Sequence, residues 1–168
     1  MSTRTRLVIL LAGMWVLGCA GFSTDVRSTD FHSTTGQPLA STGDRVGSVV
    51  GTVDEDLTAE QKELLARCHV VEHLTSQLTE LSGTGGNVTL NVTITKFRLR
   101  STFVAVTLSF LAGPDALDVA VSAETDDNLL REFEKKFASN GGNGYQAGRQ
   151  ARGDLMVQII AKAVAIAL

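Results

Sequence analysis

The chain has little of several things, and each shortage narrows what it can be. Two cysteines, Cys19 and Cys68, occur in 168 residues, so a disulfide-stapled scaffold is excluded. Beyond residue 17 no stretch is long and apolar enough to span a bilayer. Positive charge is also short: 15 Lys and Arg stand against 18 Asp and Glu, for a net charge of −3. That balance argues against nucleic acid or an anionic lipid surface as the main partner. No internal repeat is apparent, which leaves one ordinary domain with a core of its own.

What is present begins at the amino terminus. Arg4 and Arg6 precede an apolar run from Leu7 to Leu17, with no acidic residue among them. A positive start, a short apolar middle and small residues at the end make a secretory signal. The run closes on Val16-Leu17-Gly18-Cys19. With an aliphatic residue, a variable one, Gly and then Cys, this stretch resembles the lipobox of bacterial lipoproteins. The resemblance implies diacylglycerol on the Cys19 thiol, cleavage after Gly18 and acylation (palmitate, for example) of the new amino terminus. Two or three acyl chains anchor stably where one binds only reversibly. Ala20 follows the cysteine, and by the same resemblance, for a Gram-negative host, it directs the protein to the outer membrane with its domain facing the periplasm. Loss of Arg4 and Arg6 with residues 1–18 takes the net charge from −3 to −5. With Cys19 acylated, Cys68 is alone, and its place on the apolar face of a helix makes it a buried thiol.

Residues 19–45 are rich in Ser, Thr, Gly and Asp, with Phe22, Val26, Phe31 and Leu39 showing no period. This composition predicts a flexible tether, and residues 46–168 are then the single domain. Val46, Val49, Val50 and Val53 predict a first strand. Thr58 with Gln61 predicts a capping box opening a helix, whose apolar stripe is Leu64, Cys68, Val71, Leu74, Leu78 and Leu81. Past the loop from Gly83 to Asn87 the period changes to two, with Val88, Leu90, Val92 and Ile94 on one side and Thr89, Asn91, Thr93 and Thr95 on the other. The parity shift to Phe97 and Leu99 predicts a bulge. Val104 to Phe110 and Leu117 to Ala123 alternate in the same way. Leu129, Phe133 and Phe137 fit a helix face or a strand face; the short turn before them favours a strand. After a glycine- and asparagine-rich loop, Tyr145 to Leu168 predicts a long helix buried nearly all round its final turns.

The order is β-α-β-β-β-β-α. It predicts an α+β, two-layer sandwich: an antiparallel sheet of 3–5 strands with two helices on one face. Residues Val88 to Phe97 and Leu117 to Asp126, with the tether and the last helix, resemble small bacterial envelope lipoproteins of unknown function. In layout the chain is similar to auxiliary lipoproteins of ABC-type transport systems. Neither resemblance brings catalytic residues.

Few motifs carry chemistry. His69-Val70-Val71-Glu72-His73 spells an inverted zinc motif, two histidines holding a metal and Glu72 as general base. On a continuous helix, however, His69 and His73 lie on the side away from the apolar stripe, and a third ligand is missing, so they are weak metal candidates on a solvated face. Gly142, Gly144 and Ala147 opening a helix resemble a dinucleotide fingerprint, but the second strand of a βαβ unit does not follow; Arg149 and Arg152 remain as weak anion contacts. Arg152-Gly153-Asp154 inside a predicted helix is chance. Asn87-Val88-Thr89 and Asn91-Val92-Thr93 fit a glycosylation rule on what is otherwise a polar strand face. His32 lies in the tether, and no Ser sits on a strand-to-helix elbow.

The expected function is therefore a non-enzymatic, lipid-anchored envelope protein, an accessory or assembly factor that binds an envelope partner and carries no cofactor. The alternatives are a carrier of apolar ligands or a transport auxiliary, and, remotely, a zinc-dependent hydrolase using His69, Glu72 and His73.

Overall fold

The computed structural model describes residues 27–29, 35–83, 85–101, 104, 113–126, 128–139 and 148–168. The elements follow the order β1 (Arg27–Thr29), α1 (Leu39–Thr42), β2 (Val46–Val53), α2 (Ala59–Arg67), α3 (Val70–Ser82), β3 (Val88–Arg98), β4 (Asp115–Glu124), β5 (Leu129–Ser139) and α4 (Arg149–Ala167). They build one five-stranded sheet in the order β1-β5-β4-β3-β2. The α+β class holds, but the sheet is mixed rather than antiparallel. β2 runs parallel to β3, and the other pairs are antiparallel. The physical reason is the crossover: a strand followed by helices that return along one face delivers the next strand in the same direction.

The capping box forms as predicted. Thr58 Oγ1 accepts from the Gln61 amide at 3.2 Å while Gln61 Oε1 accepts from the Thr58 amide at 2.9 Å. The single long helix does not form. His69 adopts a left-handed conformation with φ 51°, and the chain breaks there into α2 and α3. That one residue resets the phase of the apolar stripe. Leu65 and Val70 are buried in place of Leu64 and Val71, and Leu81 is 45% exposed.

The strands follow their sequence pattern more closely. Val88, Leu90, Val92 and Ile94 are buried, the register shifts between Ile94 and Lys96, and Phe97 and Leu99 return to the core. Residues 129–139 are a strand, closed onto β4 by reciprocal backbone bonds between Thr125 and Asn128. A second irregularity, between Ala123 and Glu124, turns Leu129 outward to 53% exposure. Of the alternating set from Val104 to Phe110, only Val104 is described; its amide donates to Ser101 Oγ at 3.2 Å, and the rest lies outside the described residues.

The core lies between the sheet and α3 with α4, in two layers. α3 packs on β2, α4 on β4 and β5, and the two helices on each other. On α4, Met156, Val157, Ile160, Ala161 and Val164 are buried, whereas Ile166 is 87% exposed, so its last turn is not buried all round.

Parts of the stretch expected to be a tether belong to this fold. Arg27–Thr29 pairs with Lys136–Ala138 of β5, Thr35 bridges Glu132, and Leu39 is 4% exposed. The chain entering β2 and the chain entering β3 cross at two glycines. A Cβ on Gly86 would sit 1.8 Å from the Arg45 carbonyl oxygen, and one on Gly47 2.1 Å from that of Gly86. Because the obstructing atoms are backbone, Gly86→Ala is expected to destabilise the protein by about 1–3 kcal/mol or more, read as a lower midpoint in urea unfolding.

Candidate functional site

A cleft among the described residues runs between α3 and α4. Its volume is about 260 Å³, and it is lined by His73, Ser76, Gln77, Asp154, Val157 and Gln158. Gln150 at the start of α4 donates to the Cys68 carbonyl at the end of α2 at 3.2 Å and to Asp154 Oδ1 on its own helix at 3.2 Å. His73 Nδ1 faces Asp154 Oδ1 at 3.1 Å. Their side chains are 47% and 39% exposed, so the pair contributes little to stability.

The helix break falls at the first histidine of the zinc motif. His69 is the exposed left-handed residue before α3, and its ring centroid is 6.4 Å from that of His73. Glu72 is exposed on the first turn of α3. His73 turns toward α4 rather than away from it, and among the described residues no three His, Cys, Asp or Glu side chains gather as a metal set. The apolar-carrier reading calls for an apolar pocket between helices and sheet; the α3–α4 cleft is lined by polar side chains apart from Val157. Gly18, Cys19, His32, Gly142, Gly144 and Ala147 lie outside the described residues.

Arg152, Gly153 and Asp154 do lie within a helix, with Arg152 and Gly153 buried. Arg152 is part of a charged cluster that the sequence reading did not foresee. Asp115 opens β4 and is 1% exposed. Its Oδ1 accepts from the Arg100 amide at 2.8 Å and from Arg100 Nε at 3.1 Å, and its Oδ2 accepts from Arg152 Nε at 3.1 Å. Arg152 Nη2 also donates to the Arg100 carbonyl, and Arg100 Nη2 to that of Ser139 at 3.4 Å. The only local sign of this cluster was an acidic residue directly after the Gly113-Pro114 turn. Asn87 and Asn91 make long contacts of 3.5 Å to Asp44 and Ser122.

Cys68, the one described cysteine, is buried and free at the end of α2. Burial pushes its thiol pKa up, and the nearby Arg149 charge opposes this only in part. On the other side of the sheet, Asp118 lies in register between Lys96 and Lys136. Its carboxyl is nonetheless raised, because burial outweighs the two ammonium groups.

No protein-family model matches the chain, and no curated protein matches it. Among solved structures it is similar to a point variant of the PelC dodecamer from Paraburkholderia phytofirmans, at 9% identity and TM-score 0.44, covering 78% of this chain and 94% of that one. A second PelC dodecamer structure from the same organism gives 10% identity and TM-score 0.39, covering 78% and 93%. Likeness at this level carries no argument about the chain's function.

Two outcomes follow from these geometries. Asp115→Ala leaves two buried guanidinium groups without their shared carboxylate, and is expected to cost about 3–5 kcal/mol in unfolding free energy. For Cys68, the raised folded-state pKa means that the unfolded thiol ionises first as pH rises. Stability is fully present below the unfolded cysteine pKa of roughly 8.5 and falls above it. Urea midpoints measured from neutral to alkaline pH should show this loss, and Cys68→Ala should remove that component of it.

Proposed function

We propose that this protein is lipid-anchored in the bacterial envelope through Cys19, with its domain facing the periplasm at the outer membrane of a Gram-negative cell. It acts there without catalysis, as an accessory or assembly factor for an envelope partner. The observation that carries the reading is Val16-Leu17-Gly18-Cys19 at the end of an apolar run preceded only by positive charge.

The character of the sheet supports a binding role. Its outer side is a polar ladder, with Ser48 and Thr89 hydroxyls 3.1 Å apart and Thr52 and Thr93 hydroxyls 2.8 Å apart. β2 is an edge strand among the described residues, and Val-Gly-Ser-Val-Val-Gly-Thr-Val has neither charge nor proline. Edge strands are ordinarily protected by charges, prolines or short length; eight uncharged residues suit the addition of a partner strand. Val50, at the middle of that strand, is 44% exposed.

Two measurements test the anchor and the partner separately. Cys19→Ser is expected to abolish palmitate labelling and to move the protein out of the membrane fraction; continued membrane retention with no label would refute lipid anchoring. Affinity purification from detergent-solubilised membranes is expected to recover a stoichiometric partner, lost in Val50→Lys at an unchanged melting temperature. Recovery of no such partner counts against the accessory role.

A further inference from the structure

β2 has β3 on one side and, among the described residues, no strand on the other. The register decides which of its backbone groups are on the open side. Val53 stands opposite Ile94, and the next amide, that of Asp54, donates to the Ile94 carbonyl at 3.0 Å. In a parallel pair, a residue whose neighbours bond across the ladder points its own amide and carbonyl the other way. Alternation then turns the N–H and C=O groups of Val49, Gly51 and Val53 outward, and those of Ser48, Val50 and Thr52 toward β3. The open side thus presents a donor and an acceptor at every second residue, the repeat that a further strand uses to join a sheet.

The two faces of this edge differ. On the outer face Ser48, Val50 and Thr52 stand beside Thr89, Asn91 and Thr93. On the helix face Val49 and Val53 are only partly buried against the core, as is Val71 of α3. Between the two valines a Cβ on Gly51 would meet Thr75 Cγ2 at 2.5 Å and Val71 Cγ1 at 2.9 Å, so α3 lies against the edge strand itself. The apolar row of the sheet therefore stops at β2 half covered. Charge is absent from the strand and uneven at its ends. Asp44 and Arg45 precede it and balance one another, whereas Asp54, Glu55 and Asp56 follow it, the last two exposed. Lys62 donates to the Glu55 carbonyl at 2.8 Å and offsets part of that acidity.

We propose that the open edge of β2 takes an extended segment of its envelope partner whose chemistry is set by these groups. Over the stretch opposite Val49 to Val53 the segment is uncharged, with apolar side chains on the α3 side and hydroxyl-bearing ones on the other. It carries Lys or Arg where it passes Asp54, Glu55 and Asp56. Its backbone bonds to the outward amides and carbonyls of Val49, Gly51 and Val53. This occupant rests on the reading of β2 as a docking edge, and adds which atoms hold the incoming strand and what that strand is made of.

Fluorescence anisotropy of labelled peptides titrated with the full chain in detergent tests this. The probes share a Val-Thr-Val-Thr-Val core, flanked by lysine pairs in one and by glutamate pairs in the other. The lysine-flanked peptide is expected to bind saturably and about tenfold tighter than the glutamate-flanked one, with the gap narrowing as salt rises. Val49→Pro removes an outward amide and leaves the β2–β3 ladder whole; it is expected to weaken binding about fivefold, the worth of one hydrogen bond. Glu55→Lys with Asp56→Lys is expected to reverse the preference between the peptides. No saturable binding of the lysine-flanked peptide overturns the proposal, as do equal affinities for the two peptides or unchanged binding in a folded Val49→Pro. Should Val49→Pro not fold, the double charge reversal decides: a reversed preference supports the proposal, and an unchanged one overturns it. If the peptides fail while affinity purification still recovers a partner that Val50→Lys loses, this description of the strand falls and the docking edge stands; if both fail, the accessory role falls with it.

Discussion

The carboxylate of Asp115 is the interaction on which one end of the molecule depends. β3 has just ended at Arg100, β4 begins at Asp115 itself, and α4 is in its first turns at Arg152. One side chain joins all three, and through Arg100 it reaches the carbonyl of Ser139, the last residue of β5. Hydrophobic burial is non-directional, and it would tolerate sliding of α4 along the sheet. Two guanidinium groups with fixed donor directions do not, so this cluster sets where α4 sits along its axis. The same placement brings Asp154, two residues farther along, to His73 and gives the α3–α4 cleft part of its polar wall.

The parts of the fold that were legible in the sequence are those that local chemistry dictates. Thr58 and Gln61 cap a helix because their side chains and amides are three residues apart. The parity change after Ile94 shows a bulge because pleating has a strict period of two. Residues 129–139 could be read as a strand from the shortness of the turn before them. What was not legible depends on partners distant in sequence or on a single backbone angle. Nothing in Cys68-His69-Val70 resembles a helix stop, since neither glycine nor proline is there, yet the left-handed His69 moves Val70 into the core and Leu81 out of it. The parallel pairing of β2 was implied by its strand-helix-strand context and was obscured by the antiparallel meander that follows. The Arg100–Asp115–Arg152 cluster joins residues 15 and 37 positions apart, a distance over which no periodicity speaks.

The candidate sites show the same division. The histidine motif was conspicuous because a pattern of letters on an ideal helix places two rings together; the rings are 6.4 Å apart, but the first histidine stands outside α3 and the second turns to Asp154. The open edge of β2 was inconspicuous, because which backbone groups of a strand lack partners depends on its neighbours in the sheet and not on its own residues.

The pairing of Arg27–Thr29 with β5 bears on how the domain would sit above a bilayer. From an acylated Cys19 to Arg27 the chain has eight residue steps, a span of at most about 26–29 Å when fully taut and on the order of 15 Å as a relaxed coil. Under the proposed acylation of Cys19, so short a leash would keep the β1–β5 edge of the sheet toward the lipid and the opposite edge, β2, away from it, so that the proposed anchor would orient the domain as well as address it.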